Sequence, residues 1–298
     1  MTVAELSRES KVGFIGAGLV GGSLAAALLE AGYPVVAVAS RTSASAMDFA
    51  GRVPGCVANE EPQDVVAASD VVFVTTTDDA IEHVTAAQKW RAGQGVVHCA
   101  GAASLDILDS AVRQGALVGA MQPLQAFSSV ENGVKSIPGT TFGIEAEGEM
   151  KEYLREMAAA IGGNPVFIAS EDKALYHLTG VMLGGLLTTL GATAAQLWDR
   201  LGIGRAEGVR ALVPMMRSVS YNLETSGLPS AVAGPYMRGD VGTITKHLEA
   251  LQSRAPEVLP LYCQLALAGL PFCLEKGLAP EKADEIRELV DTFEANTR

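Results

Sequence analysis

The sequence predicts an α/β chain: a doubly wound, mainly parallel sheet followed by an all-α C-terminal domain. Three observations carry this reading. Short, wholly apolar runs alternate with helical stretches up to about residue 170, as expected of strands buried on both faces. A glycine-rich turn joins the first such run directly to a helix. From Glu171 onward no strand pattern remains, and long stretches of helical apolar period follow one another between Gly and Pro. The expected domains are therefore 1–170 and 171–298, with the boundary near Ser170.

The first run, Val12–Ile15, leads into Gly16-Ala17-Gly18-Leu19-Val20-Gly21, then a helix over Gly22–Ala31 and a second run at Val35–Ala39. This strand, turn, helix and strand form a dinucleotide-binding Rossmann unit. Gly16 makes the tight turn, Gly18 admits a pyrophosphate to the backbone, and Gly21 lets helix and strand pack closely. The helix N-terminus offers unpaired N–H groups to the phosphates. An NAD site usually ends its second strand with Asp or Glu, to accept from the ribose 2′-OH. Here the position reads Ser40-Arg41-Thr42-Ser43, with no carboxylate before Asp48. Arg41 suits a 2′-phosphate, with hydroxyl support from Thr42 and Ser43, so the expected cofactor is NADP(H).

Further strands are expected at Val71–Thr75, Gly95–Cys99 and Ala116–Met121. Two more, Thr140–Ile144 and Pro165–Ala169, flank a helix at about Glu149–Ile161 and suggest a variation at the sheet edge. Helices are expected over 172–201, 206–225, 240–252, 256–276 and 280–296.

Composition narrows the function classes. Net charge is −12, from 34 acidic and 22 basic residues, which disfavours nucleic acid and anionic membranes as partners. Cys56, Cys99, Cys263 and Cys273 show no CxxC spacing and no Cys/His cluster, so no metal site is expected and the thiols read as reduced, in the cytoplasm. The N-terminal residues 1–10 are polar and resemble no secretory signal. Residues 174–198 lack Asp, Glu, Lys and Arg, long enough to span a bilayer. Their His177, glycines, threonines and Gln196 suit a helix buried in a core or a dimer interface better.

In a doubly wound sheet the ligand lies beyond the carboxyl ends of the strands. Thr75, Thr76 and Thr77 are expected to line the cofactor. His98 and Ser104 bracket a small-residue turn, HCAGAAS, that admits a nicotinamide. His98 also suits a structural role, and Ser104 a plain helix cap. Gln122 and Gln125, in QPLQ, suit orientation of a substrate rather than proton transfer. Lys173 and His177 share one helix face with Gly180 and Gly184, leaving room for a packed helix or for a cofactor ring and substrate. Either Lys173 or His177 can donate the proton that completes hydride addition. Arg238, in GPYMRGD, suits a substrate carboxylate or a pair with Asp240, which itself reads as a helix cap.

The motifs GFIGAGLVG, the SR after the second strand, HCAGAAS, QPLQAF, EDKALYH and GPYMRGD with KHLEAL run in order along nearly the whole chain. On them the chain resembles bacterial Rossmann-like proteins with a C-terminal DUF2520 domain. These belong to the 6-phosphogluconate dehydrogenase-like group, beside pyrroline-5-carboxylate, ketopantoate and imine reductases. The resemblance implies an NADP-dependent oxidoreductase, often a homodimer joined through the helical domains. It implies a catalytic lysine at Lys173 and a substrate-orienting residue at His177. The family usually has HPLQ where this chain has Gln122-Pro123-Leu124-Gln125, and often Ser-Asn further along the helix where this chain has Gly184-Gly185. Both departures fall where substrate is expected, and leave room for a larger or less polar one than ketopantoate.

The expected function is thus an NADPH-dependent reductase of a C=O or C=N carbon in a small molecule. Its rivals are an imine reductase acting on cyclic or condensed imines, and a non-catalytic NADP(H)-binding sensor.

Overall fold

In the computed structural model, which describes residues 5–295, the chain divides into two compact units that meet at Gly184/Gly185. The first unit alternates strands and helices. In order these are β1 (Val12–Ile15), α1 (Leu19–Glu30), β2 (Val35–Ala39), α2 (Ser43–Arg52), β3 (Val57–Asn59), α3 (Pro62–Ala68), β4 (Val71–Val74), α4 (Asp78–Ala86) and β5 (Gly95–His98). There follow α5 (Asp109–Val112), β6 (Leu117–Pro123), α6 (Val130–Ser136), β7 (Thr141–Ala146), α7 (Gly148–Ala160), β8 (Asn164–Phe167) and α8 (Lys173–Val181).

The strands form one eight-stranded sheet, ordered β3-β2-β1-β4-β5-β6-β7-β8. All neighbours are parallel except β6 and β7, which run antiparallel with Gln122 opposite Gly143 and Ala120 opposite Glu145. The expected variation at the sheet edge is this one reversal. Strand β3 and helices α2, α3 and α6 were not legible as elements. β3 has three residues with Val57 exposed, too short for a period-2 pattern.

Side-chain alternation sorts the sheet into two faces. Phe14, Phe73, Val97, Met121, Phe142 and Ile144 join one core with Leu24, Leu28 and Leu154 from α1 and α7. Phe14 and Phe73 stack with centroids 5.2 Å apart. Ile15, Val72, Val74 and Val96 join the other core with Ile81 and Leu108. The same parity sends His98, Gln122, Gly143 and Glu145 to that second face, next to one another along β5, β6 and β7.

The second unit is helical: α9 (Leu187–Arg200), α10 (Arg205–Ser226), α11 (Pro235–Arg238), α12 (Val241–Arg254), α13 (Leu259–Lys276) and α14 (Pro280–Ala295). Its core gathers Ile244, Leu248, Leu259, Cys263, Leu270, Ile286 and Val290 from α12, α13 and α14. The expected boundary at Ser170 precedes the observed one because α8, helical as expected, is anchored to the sheet through its own side chains. A π-helical turn, Met182–Leu186, follows α8 and separates it from α9.

The stretch 174–198 does not form a buried core helix. Ser170–Arg200 is long and apolar enough to cross a membrane, as is Pro256–Lys276, and only 6% of the former's most apolar window is buried. Leu183 is 68% exposed and Leu186 55%.

Candidate functional site

The glycine turn is built as its sequence requires. Gly16 sits at φ +113°, in the left-handed region, with the Thr75 backbone so close that a Cβ would lie 2.5 Å from its carbonyl carbon. The Thr75 hydroxyl donates to Gly16 O at 2.8 Å and packs against Gly21. The Thr75 side chain thus braces the turn. Gly18 is the N-cap of α1, which has no side-chain cap and no acidic residue in its first turn. Its leading N–H groups and partial positive charge are therefore left to an external anion. Ala17, Leu19 and Val20 are at least partly exposed around this opening, Leu19 by 44%.

At the end of β2, Ser40 is half-buried and Arg41 is exposed, with no hydrogen bond or ion pair among the described residues. Thr42 caps α2, its hydroxyl accepting from the Ser45 N–H at 3.3 Å and contacting Ser45 Oγ at 2.7 Å. A free guanidinium beside a helix N-terminus fits a phosphate. These residues fit NADP(H): the α1 turn for the pyrophosphate, Arg41 and the start of α2 for the 2′-phosphate. Thr77 occupies the N-cap of α4 without making a cap bond, and the Thr76 hydroxyl donates to Thr77 O at 3.3 Å.

The second half of the site forms where α8 meets the sheet. Lys173, Tyr176, His177 and Gly180 follow helical spacing and address the face that carries His98, Gln122, Gly143 and Glu145. Lys173 Nζ lies 3.1 Å from Glu145 Oε2, with Lys173 only 4% exposed. Glu145 Oε1 also accepts from Ser170 Oγ at 2.6 Å. Burial lowers the Lys173 ammonium from its ordinary range, against the opposing hydrogen bond and charge of Glu145. Tyr176 lies over Gly143, and burial raises its phenol. Half-buried His177 places Nδ1 3.1 Å from the Gln122 side-chain amide nitrogen. Gly101 makes this approach feasible, since a Cβ there would collide with both His177 Nδ1 and the Gln122 amide. Gly180 packs on Leu124. Gly184 falls in the π-helical turn, which slips the helical phase, so it does not continue the same face as expected.

Other expected site residues are placed differently. His98 is fully buried, its Nδ1 accepting from the Ala100 N–H at 3.2 Å, so it shapes the 98–104 turn instead of meeting substrate. Burial first, then the Lys173 charge, pushes its imidazole down to about 3. Gln125 is also spent on structure: its amide N–H donates to Ser136 O and Thr140 Oγ1, both at 3.3 Å, and its carbonyl accepts from Ala126 N–H. Ser104 precedes a short 3₁₀ turn without capping it.

In the helical unit, Asp240 caps α12, accepting from the Thr243 N–H at 3.0 Å and its hydroxyl at 2.7 Å. Arg238 is exposed and makes no ion pair among the described residues, so the Arg238–Asp240 tie does not form.

The sequence reading missed Glu145 and Tyr176. The one signal was a carboxylate inside an otherwise apolar strand run, TFGIEA.

Comparison with known proteins adds to this geometry. A Rossmann-like domain model matches residues 4–123, and a model of the domain of unknown function DUF2520 matches residues 140–268. A Bacteroides fragilis protein assigned as an NADP oxidoreductase is 23% identical with a TM-score of 0.70, covering 89% of this chain and 99% of its own. An imine reductase from Pseudomonas sp. is 18% identical with a TM-score of 0.61, covering 89% of this chain and 92% of its own. A reductive aminase from Aspergillus terreus, solved with NADPH and ethyl levulinate, is 17% identical with a TM-score of 0.62, covering 96% of this chain and 99% of its own. No curated protein matches the chain. At these identities the likeness shows a shared fold.

Proposed function

We propose, for a chain that joins a Rossmann-like domain to a DUF2520 domain, the function of an NADPH-dependent reductase of a C=O or C=N carbon in a small molecule. The carrying observation is the uncapped N-terminus of α1 paired with an unpartnered Arg41 where an NAD site has a carboxylate. NADPH, when bound, supplies a hydride to the substrate carbon. This chain's residues do the rest: Gly16, Gly18 and Gly21 receive the pyrophosphate, Arg41 the 2′-phosphate, and Lys173 or His177 the role of proton donor. Arg238, exposed in the helical unit, has the chemistry to bind a carboxylate.

Imine substrates have specific support. The imine reductase and the reductive aminase share the fold, and Gln122 stands where the family resemblance implies a histidine. An iminium is already activated and needs less proton donation than a ketone. The exposed apolar faces of α9 and α10 suit a second copy of the chain, giving a homodimer through the helical unit. We place the protein in the cytoplasm, with no membrane or nucleic-acid partner.

The test is NADPH oxidation against a panel of 2-keto acids and cyclic imines, with NADH in parallel. Turnover with NADPH is expected. Arg41→Asp should cut the NADPH preference by roughly 10–100-fold, the worth of one charge-assisted contact. An unchanged preference rejects the Arg41 assignment. NADPH binding without oxidation by any of these compounds points to the sensor reading instead.

A further inference from the structure

We propose that His177, through Nε2, is the proton donor and that Gln122 is the positioning residue that holds its ring. This rests on the reductase reading and decides between two donors that the sequence leaves equal.

The two candidates on α8 have opposite surroundings. Lys173 is buried and locked to Glu145, whose other oxygen takes the Ser170 hydroxyl. Transferring a proton from Lys173 leaves the Glu145 carboxylate buried without its counter-charge, a costly state. His177 is half-buried, its Nδ1 is tied down by Gln122, and its Nε2 has no partner among the described residues. The ring therefore has one nitrogen for the protein and one for a substrate.

Gln122 suits the task because an amide has a donor end and an acceptor end. Its N–H donates to Nδ1 of the neutral ring, which then carries its proton on Nε2. Rotated by half a turn, its carbonyl accepts from Nδ1–H of the imidazolium. In either arrangement Gln122 holds Nδ1 and leaves Nε2 to a substrate. Its buried Oε1 has no partner among the described residues, so the amide is not pinned in one orientation by a third group. Gly101, with no side chain, leaves the space that the pair fills.

In the transfer, the substrate O or N that has taken the π electron pair receives the proton from Nε2 of imidazolium His177. The electrons of that N–H bond return to the ring, His177 becomes neutral with its remaining proton on Nδ1, held by the Gln122 carbonyl, and solvent returns a proton to Nε2. Other titratable groups on the packed elements are His98, held neutral down to about pH 3, Cys99, its thiol pushed up to about 12, the Lys173–Glu145 pair, and Tyr176. None of these makes a hydrogen bond or ion pair to His177.

The experiment uses the full-length protein labelled with ¹⁵N-histidine, His177 being assigned by comparison with His177→Gln. In wild type, Nδ1 of His177 is expected to be hydrogen-bonded in both charge states. Gln122→Glu should raise its titration midpoint by about one pH unit, because a carboxylate at hydrogen-bond distance favours the imidazolium. The high-pH limb of the rate profile should move with it, and Gln122→Met should lower kcat without that shift. His177→Gln should lower kcat about 100-fold or more, with NADPH binding by fluorescence within twofold of wild type. A midpoint unmoved in Gln122→Glu overturns the positioning role even if no substrate is found. Wild-type kcat in His177→Gln, with turnover lost in Lys173→Met, overturns the donor while leaving the reductase reading intact.

Discussion

His98 shows how one side chain's surroundings override its chemistry. Its type and its place after a strand suggest a site residue, yet full burial keeps it neutral and turned to its own loop. That has a measurable consequence for stability. Its folded value is lowered from 6.5 to about 3, so below pH 6.5 the unfolded chain takes a proton that the native state refuses. Its contribution to stability is whole above pH 6.5 and is lost as pH falls toward 3. Between pH 7 and pH 5 this amounts to roughly 2 kcal/mol. Urea unfolding at the two pH values should show a drop in wild type that is smaller by about this amount in His98→Asn. An equal drop in both proteins contradicts the assignment. Lys173 lies on the same face, but its buried charge is balanced by Glu145 rather than given up.

At the scale of elements, the site depends on two junctions. One is the β1–α1 turn, where Thr75, from the end of β4, closes a hydrogen bond onto Gly16. Thr75→Val keeps the shape and removes that bond, leaving Gly16 O short of a partner. It should cost about 1 kcal/mol of stability in urea unfolding, and should weaken NADPH several-fold in a fluorescence titration because the turn loses its brace. Unchanged affinity would mean that the turn holds its form without Thr75. The other junction is α8 on β6 and β7. The antiparallel pairing sets Gln122 opposite Gly143 and Glu145 two positions along, matching the rise from His177 and Tyr176 back to Lys173 on the helix. The π-helical turn ends this match before Gly184.

For the molecule as a whole, the apolar side chains left outside matter most. Leu186, Met215, Val219 and Tyr221 are each at least half exposed along the π-helical turn and α10. Exposed apolar side chains in this number are the ground for the homodimer proposed above. Light scattering at micromolar concentration should give twice the 30.9 kDa chain mass. Leu186→Glu with Val219→Glu should lower that mass to the monomer's, because burying two unpaired carboxylates opposes association. A wild-type monomer rejects the dimer.

Much of the architecture was written locally. The glycine turn, the strand that precedes it, the missing carboxylate after β2 and the long helices of the second unit are each encoded in contiguous residues. Turn geometry and hydrophobic period act over a few positions, so they are readable along the chain. The site was legible only in halves. Lys173 and His177 could be placed on one helix face from their spacing, but not which of them is buried against a carboxylate. That depends on Glu145 and Gln122, remote in sequence and made neighbours by the reversal between β6 and β7. The same holds for His98 and Gln125, whose polar atoms are claimed by nearby backbone and side-chain groups. Residue type and local pattern thus determined which groups can carry chemistry. Tertiary packing decided which of them are left free to do so, because burial and partners come from distant segments of the chain.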